Sequence, residues 1–218
     1  MAEILITLGI VGVVAALTIP GLMTAYKAHQ LRSQFLKSYS TIQQVFRRME
    51  ADDISLSKES WVGNQLYKTF MQYLSGAHDC RAGYITGKVP VCYSYKNGNY
   101  ITLDGKKNIT NWYFDDGQIL LQDGTLLLFE NPSSEYGVNV WVSVDLNGWG
   151  KLPNKAGYDL FTFFFKDGEL VTMGDKGTTF PADAYCRFDK AGVNNGMGCA
   201  YRAKTETDYF KNLVKEFK

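Results

Sequence analysis

Hydrophobic and polar positions divide the N-terminal part of the chain into two segments. From Ile4 the sequence reads ILITLGIVGVVAALTI up to Pro20, and the next charged residue is Lys27. A helix over the uncharged run 4–26 would be about 35 Å long, enough to cross the hydrocarbon core of a bilayer. We expect an anchor rather than a cleaved signal peptide, because the run is longer than a signal peptide's apolar core and an amphipathic segment follows it.

Beyond Lys27 the apolar residues recur every three or four positions, which is the spacing of one helix face. This apolar stripe consists of Leu31, Phe35, Ile42, Val45, Phe46 and Met49. Basic residues lie between its members, and the pattern ends near Glu50. The two segments together predict one helix over residues 2–50, about 70 Å long. Pro20 removes a helical hydrogen bond, so we expect it to interrupt and kink this helix.

The rest of the chain predicts two further helices on either side of a sheet. A second helix is predicted over Lys58–Leu74, with Gly76 after it. From Gly83 onwards glycine, asparagine and aspartate separate short apolar runs, which is typical of strands. The polar C-terminal segment predicts a short helix over Glu206–Phe217.

The apolar runs predict an antiparallel sheet. The clearest strands are Ile119–Leu121, Thr125–Phe129, Val138–Val144, Leu160–Phe165 and Leu170–Thr172. Asp123-Gly124 and Asp167-Gly168 predict two hairpin turns. The aromatic run 161–165 predicts a strand that is buried on both faces. The predicted fold class is therefore α+β, with a long N-terminal helix packed on an antiparallel sheet.

Length and charge suit one ordinary domain with an accessory helix. The chain has 218 residues and a formal net charge of +1, so bulk charge gives no argument for a nucleic-acid partner. We predict an apolar helical segment over residues 1–26. Residues 27–218 then form the globular domain, which includes the amphipathic half of the helix.

A membrane-anchored hydrolase is the main alternative class. The sequence has none of the common nucleophile, zinc-protease or phosphate-loop motifs. Its two histidines are His29, among polar neighbours on the long helix, and His78, in a loop. Asp115 and Asp116 are interpreted as a turn rather than a catalytic pair.

The four cysteines, Cys80, Cys92, Cys186 and Cys199, form two pairs that are close in sequence. A structural zinc site would usually contain C-x-x-C pairs, and the sequence has none. Three disulfide pairings are possible, and we expect the two local ones, Cys80–Cys92 and Cys186–Cys199. Behind a membrane anchor, such bridges predict an oxidising compartment outside the inner membrane.

Glu3 is a single carboxylate directly ahead of the apolar run. A charge at a bilayer centre costs roughly 2.5–3.5 kcal/mol on insertion scales, so such a group usually has a partner and a function. The alternative is that Glu3 lies at the headgroup level and reaches water.

Residues 2–20, AEILITLGIVGVVAALTIP, resemble the start of a mature type IV pilin or of a type II secretion pseudopilin. The shared features are the acidic residue, the apolar helix after it and a proline at the spacing that Glu3 and Pro20 have here. The segment 144–161, VDLNGWGKLPNKAGYDLF, resembles a loop of many pilin-like proteins. The family's leader, which a prepilin peptidase removes before the new terminal residue is methylated, is not assigned to positions of this sequence.

The resemblance implies a pilin-like fold and a structural function without catalysis. Glu3 would pair with the N-terminal amine of a neighbouring subunit. Gly9, Gly12 and Pro20 would either allow close helix packing or form a weak point that melts when the subunit leaves the bilayer. The expected product is a homo-oligomeric helical filament.

Partners and location follow from the same resemblance. The subunit would be inserted in the inner membrane with its globular domain outside the cytoplasm. It would then be extruded with the help of an assembly machinery and minor pilins. A surface pilus, or fimbrium, is favoured, and a periplasmic pseudopilus of type II secretion is the alternative. No specific nucleic-acid partner is predicted.

Asp145, Asn147 and Asp159 offer hard oxygen ligands of the kind that calcium prefers. Asp145-x-Asn147 followed by glycine resembles the opening of a calcium loop, and some pseudopilins bind calcium in this part of the fold. The full loop pattern is absent from the sequence, however, since no glutamate closes it. An Asx-type turn between strands is the alternative interpretation.

Overall fold

The computed structural model describes residues 2–61, 66–82, 90–131, 140–166 and 168–217. The side chains of Ala2, Glu3, Leu5, Lys58 and Glu59 lie outside this description. The architecture is α+β, with a long N-terminal helix packed on one antiparallel sheet.

The N-terminal helix α1 spans Ala2–Ala51, close to the predicted bounds. It continues through Pro20, so the interruption expected at that residue does not occur. The predicted apolar stripe from Leu31 to Met49 is buried, and none of its members is more than 3% exposed. The stripe faces the sheet, as shown by the ring centroids of Phe35 and Phe161, which are 4.9 Å apart.

Within the described part of the chain the sheet has six strands, which lie in sequence order. They are β1 His78–Asp79, β2 Gly117–Leu120, β3 Leu126–Glu130, β4 Trp141–Asp145, β5 Leu160–Lys166 and β6 Glu169–Thr172. Consecutive strands pair antiparallel, so the topology is a meander. In its centre Leu127 aligns with Ile119 on one side and with Val144 on the other.

Both predicted hairpins form, one between β2 and β3 and one between β5 and β6. In the first turn Gly124 has a φ of 88°, a left-handed conformation that favours glycine. Asp123 Oδ1 accepts a hydrogen bond of 3.0 Å from the Thr125 N–H, which stabilises this turn. In the second turn Gly168 has a φ of 81°, and Asp167 lies outside the described residues.

Most predicted strands are shifted by one or two residues, and two strands differ more than that. The strand predicted over Val138–Val144 is β4, which begins at Trp141 and extends to Asp145, and residues 132–139 lie outside the described part. The short strand β1 was not predicted, because two residues are too few to show an alternating pattern. Of the region expected to begin the strands at Gly83, residues 83–89 are not described.

The remaining helices are shorter than the sequence predicts. They are α2 Lys58–Trp61, α3 Leu66–Met71, α4 Ala182–Tyr185, α5 Cys199–Thr205 and α6 Tyr209–Glu216. The helix predicted over Lys58–Leu74 is wrong at its end, since α3 stops at Met71 and turns follow, while residues 62–65 are not described. The helix predicted over Glu206–Phe217 corresponds to α6, and α4 and α5 were not predicted.

Hydrophobic residues fill the space on both faces of the sheet. Phe161, Phe163 and Phe165 belong to the core beneath α1, whereas Leu160 and Phe164 belong to a second core on the opposite face. The aromatic run in β5 is therefore buried on both sides, as the sequence predicts. The sheet holds α1 on one face and the loops around residues 90–114 on the other.

Candidate functional site

The N-terminal half of α1 carries an uncovered apolar surface. Its exposed large side chains are Ile4, Ile6, Leu8, Ile10, Val11, Val13, Val14, Leu17, Ile19, Leu22, Met23 and Tyr26. Each of them is at least 51% exposed, and Leu17 reaches 78%. Among the described residues α1 is the helix that is long and apolar enough to cross a membrane. An exposed apolar surface of this extent marks a membrane or subunit interface.

The threonine hydroxyl groups in this half of α1 bond to the helix itself. Thr18 Oγ1 donates to the Val14 carbonyl at 2.9 Å, and Thr24 Oγ1 donates to the Pro20 carbonyl at 2.8 Å. Such bonds satisfy the polar groups inside the segment, which is what an apolar surrounding requires. The surface that α1 presents to its surroundings is therefore apolar even where threonines occur.

The predicted assembly residues all lie in this half of α1. The backbone of Glu3 is helical, but its side chain lies outside the described part, so its pairing stays a prediction. A Cβ added to Gly9 or Gly12 would meet nothing within 4 Å. The fold of a single chain therefore does not require glycine at either position. Small residues there leave room for the close approach of another helix.

Asp145, at the end of β4, organises the loop that follows it. Its Oδ1 accepts hydrogen bonds from the N–H groups of Asn147 at 3.2 Å and Gly148 at 2.9 Å. Its Oδ2 accepts a bond of 3.0 Å from the Tyr100 hydroxyl. Gly148 has a φ of 79°, and an added Cβ would clash with the backbone oxygen of Gly124. These bonds form the Asx-type turn that was the alternative to a calcium loop.

Asp159 closes the same loop just before β5. Its Oδ2 accepts a bond of 3.0 Å from the Asn154 N–H, and its Oδ1 accepts one of 2.6 Å from the Lys155 N–H. Asp145 and Asp159 are both 0% exposed. Burial raises the pKa of both carboxyls, and the charge of Asp159 raises that of Asp145 further, while the N–H donors oppose the rise.

The predicted calcium ligands therefore meet in one loop, where backbone donors already bind both carboxylates. The Asn147 amide donates to the Lys151 carbonyl at 3.0 Å. Its Oδ1 is buried and has no hydrogen-bond partner among the described residues, which leaves it as a possible oxygen ligand. The carboxylate bonds favour a structural role for this loop, and calcium binding stays a prediction.

A group of three carboxylates was missed by the sequence analysis. The carboxylates of Asp115, Asp116 and Glu130 each offer an oxygen within 4.8 Å of the others. Burial, followed by the charges of the two aspartates, raises the pKa of Glu130 to about 9. Burial and Asp116 raise the pKa of Asp115 to about 6. Three carboxylates this close together repel one another when all are ionised. At least one of them therefore retains a proton, or the group binds a divalent cation.

Both predicted local disulfides form. Cys80 bonds to Cys92 and Cys186 bonds to Cys199. The second bridge joins the end of α4 to the start of α5 and lies in the main core, since Cys186 and Cys199 are both 0% exposed. His78 offers a ring nitrogen close to the sulfurs of the first bridge, but these sulfurs are bonded to each other and are not thiolate ligands.

Comparison with family models, with curated proteins and with solved structures finds no match to this chain. The resemblance of residues 2–20 and 144–161 to pilins therefore stays an expectation from the sequence.

Proposed function

We propose that this protein is a structural subunit that polymerises into a type IV pilus-like filament. One observation carries the proposal. The stripe from Leu31 to Met49 is covered by the protein's own sheet, whereas the apolar side chains between Ile4 and Tyr26 are covered by nothing in the described chain. The second half of α1 is thus part of the core. The first half is an apolar rod that the described chain leaves uncovered.

The hydrophobic effect determines what can cover this rod. Burying one Val, Leu or Ile side chain stabilises by roughly 1.5–3 kcal/mol, so water is a poor environment for the whole segment. Lipid covers the rod before assembly, and the same segments of sister subunits cover it in the filament. Both environments exclude water, so the subunit can pass from one to the other at little cost in hydrophobic free energy.

Glu3 gives the exchange its specificity. In an environment of low dielectric constant an unpaired carboxylate is penalised and an opposite charge is strongly attracted. The N-terminal amine of a neighbouring subunit supplies that charge in one register of the filament. Gly9 and Gly12 allow the helices to approach closely in this register.

The disulfides support a location outside the cytoplasm. Cys80–Cys92 and Cys186–Cys199 are stable in an oxidising compartment. We therefore assign residues 4–26 to the inner membrane and the globular domain to its outer side. Filament growth from this position requires an assembly machinery and minor pilins.

The carboxylate of Glu3 is the sharpest point at which to test polymerisation. Glu3→Gln keeps the size of the side chain and removes its charge. We expect the variant to insert in the membrane as a monomer and to form no filaments, whereas the control Glu169→Gln, on the exposed end of β6, assembles normally. Filaments of Glu3→Gln that form at the wild-type rate would contradict the proposal.

Under the pseudopilin alternative the filament stays in the periplasm and does not reach the cell surface. Electron microscopy of material sheared from the cell surface separates the two cases. A surface pilus subunit gives long fibres in the sheared fraction, and a periplasmic pseudopilus gives none.

A further inference from the structure

A pocket with a basic rim lies beside α1, at the boundary between its apolar half and its amphipathic half. Its volume is about 280 Å³. One wall is formed by α1, where Gly21, Thr24 and Ala28 line it, and the other by the segment from Thr207 to Lys215. The small residues on α1 leave this space open. We call this space the basic pocket.

Two contacts fix the position of α6 against α1. Arg32 Nη1 donates a hydrogen bond of 3.1 Å to the Thr207 carbonyl, just ahead of α6. The ring of Phe210 packs 5.8 Å from the ring of Phe35. The buried side of α6 is thereby held on the core, so its exposed lysines are held beside α1.

Three cations surround the basic pocket. Lys211 and Lys215 are exposed and lie one helical turn apart on the same face of α6, and Arg32 lies opposite them on α1. The acidic group that lines the pocket is Asp208, whose Oδ1 is 3.8 Å from Lys211 Nζ. The side chains of this pair are 68% and 58% exposed, so the pairing screens the lysine weakly. The pocket is thus more positive than the nearly neutral chain around it.

The position of the basic pocket along α1 limits what can fill it. The wall begins at Gly21, inside the uncharged run 4–26, and ends at Arg32. When the run lies in a bilayer, this interval lies at the level of the lipid headgroups. Phosphate groups of anionic lipids are concentrated at that level, and they attract clustered Lys and Arg side chains.

We propose that the basic pocket binds the phosphate headgroup of an anionic membrane phospholipid while the subunit resides in the bilayer. Arg32 offers a planar donor group suited to phosphate oxygens, and Lys211 and Lys215 add charge. Thr24 and Ala28 lie against the glycerol and the start of the acyl chains. The inference rests on the membrane-inserted state of the proposed function and goes beyond it by naming a lipid partner.

The test uses the full-length chain in nanodiscs that contain equal amounts of phosphatidylglycerol and phosphatidylcholine with identical acyl chains. After release into a neutral detergent, native mass spectrometry counts the lipids that each monomer retains. We expect retention of phosphatidylglycerol in preference to phosphatidylcholine. Lys211→Ala with Lys215→Ala should lower this preference by about fivefold for each lysine, the equivalent of ~1 kcal/mol each.

A matched control removes two lysines from the opposite end of the domain. Lys68 and Lys166 lie within two residues of Phe70 and Phe165, whose rings both pack on Phe46. Phe46 lies about 27 Å along α1 from Ala28. Lys68→Ala with Lys166→Ala should retain phosphatidylglycerol as the wild type does. Intact disulfides and an unchanged circular dichroism spectrum verify the fold of both double variants.

Three results would overturn the inference. The first is equal retention of the two lipids by the wild type, and the second is an equal preference in the pocket variant and its control. The third is displacement of the lipid by millimolar glycerol phosphate, which would assign the site to a free phosphate ester. A chain that fails to enter nanodiscs at all would instead contradict the proposed function, and the inference would fall with it.

Discussion

The hydroxyl of Tyr100 donates a hydrogen bond of 3.0 Å to Oδ2 of Asp145, and both side chains are 0% exposed. This bond connects the second core to the end of β4. The Tyr100 ring also packs 5.1 Å from the rings of Phe114 and Trp149. The loop 144–161 is therefore held by this aromatic cluster as well as by its two buried carboxylates, Asp145 and Asp159.

Tyr100→Phe tests the value of this bond. The substitution keeps the ring packing and leaves Oδ2 of Asp145 without its hydroxyl donor. We expect the free energy of unfolding to fall by about 1–3 kcal/mol, measured by urea unfolding of the detergent-solubilised chain. Tyr95→Phe is the control, because Tyr95 is 38% exposed, and it should change little. An equal loss in the two variants would contradict a specific role for the bond.

Chelation tests the function of the loop that Asp145 organises. Because N–H and O–H donors bind its carboxylate, we expect EDTA to leave the melting temperature unchanged, while Asp145→Ala lowers it. Calcium at a concentration 100 times its dissociation constant would add ~2.7 kcal/mol to the free energy of unfolding. A clear rise of the melting temperature with calcium would therefore contradict a loop that binds no calcium. Glu130→Gln then shows whether that calcium binds at the acidic group of Asp115, Asp116 and Glu130 instead.

Glu130→Gln also tests the pH dependence of stability. The raised pKa of Glu130, about 9, means that the folded state holds a proton that the unfolded state releases at a lower pH. This group therefore stabilises the fold fully at low pH, and its contribution is lost as the pH rises through about 9. Asp115, with a pKa of about 6, acts in the same direction at lower pH.

We expect Glu130→Gln to match the wild type near pH 5 and to exceed it by roughly 2 kcal/mol near pH 9, because glutamine cannot ionise. The expected ~2 kcal/mol is well below the free energy that the whole pKa shift of Glu130 would give, because its side chain is partly open to solvent. Thermal unfolding of both proteins across this range is the measurement. A constant difference at every pH would show that Glu130 does not titrate as described.

Substitutions in the two halves of α1 should differ in their effect on the stability of the domain. Phe35 is 0% exposed and its ring packs on those of Phe161, Phe163 and Phe210. Phe35→Ala should therefore destabilise the domain by about 3–5 kcal/mol. Leu17 is 78% exposed, so Leu17→Ala should leave the unfolding of the domain unchanged.

The same leucine should matter once subunits assemble. Loss of its burial, worth roughly 1.5–3 kcal/mol, should raise the subunit concentration needed for filaments by about tenfold or more. Sedimentation of filaments at a series of concentrations measures this. Normal assembly of Leu17→Ala would contradict a buried position for this residue in the filament.

Several elements were predictable because their signals are local. The stripe from Leu31 to Met49 has helical spacing, and Asp123-Gly124 meets the conformational demand of a tight turn. The two cysteine pairs are close in sequence and formed the local bridges. Element ends were less predictable, as shown by the helix predicted over Lys58–Leu74, whose last turn is replaced by i→i+3 turns after Met71.

The acidic group shows why the remainder could not be predicted. Asp116 and Glu130 are far apart in sequence, and no local pattern connects them. The antiparallel register aligns Gly117 with Phe129, which brings the residues just outside each partner together. Only strand pairing makes neighbours of these carboxylates, and burial then raises their pKa values.

The sequence by itself determined the apolar first half and the amphipathic second half of α1, the hairpin turns and the local bridges. Periodicity, glycine conformation and short loops are all properties of neighbouring residues. The tertiary structure decided that Tyr100 reaches Asp145 and that α6 places Lys211 and Lys215 beside α1. These are contacts between distant segments, and their free energy depends on packing and on exclusion of water, which no stretch of sequence specifies alone.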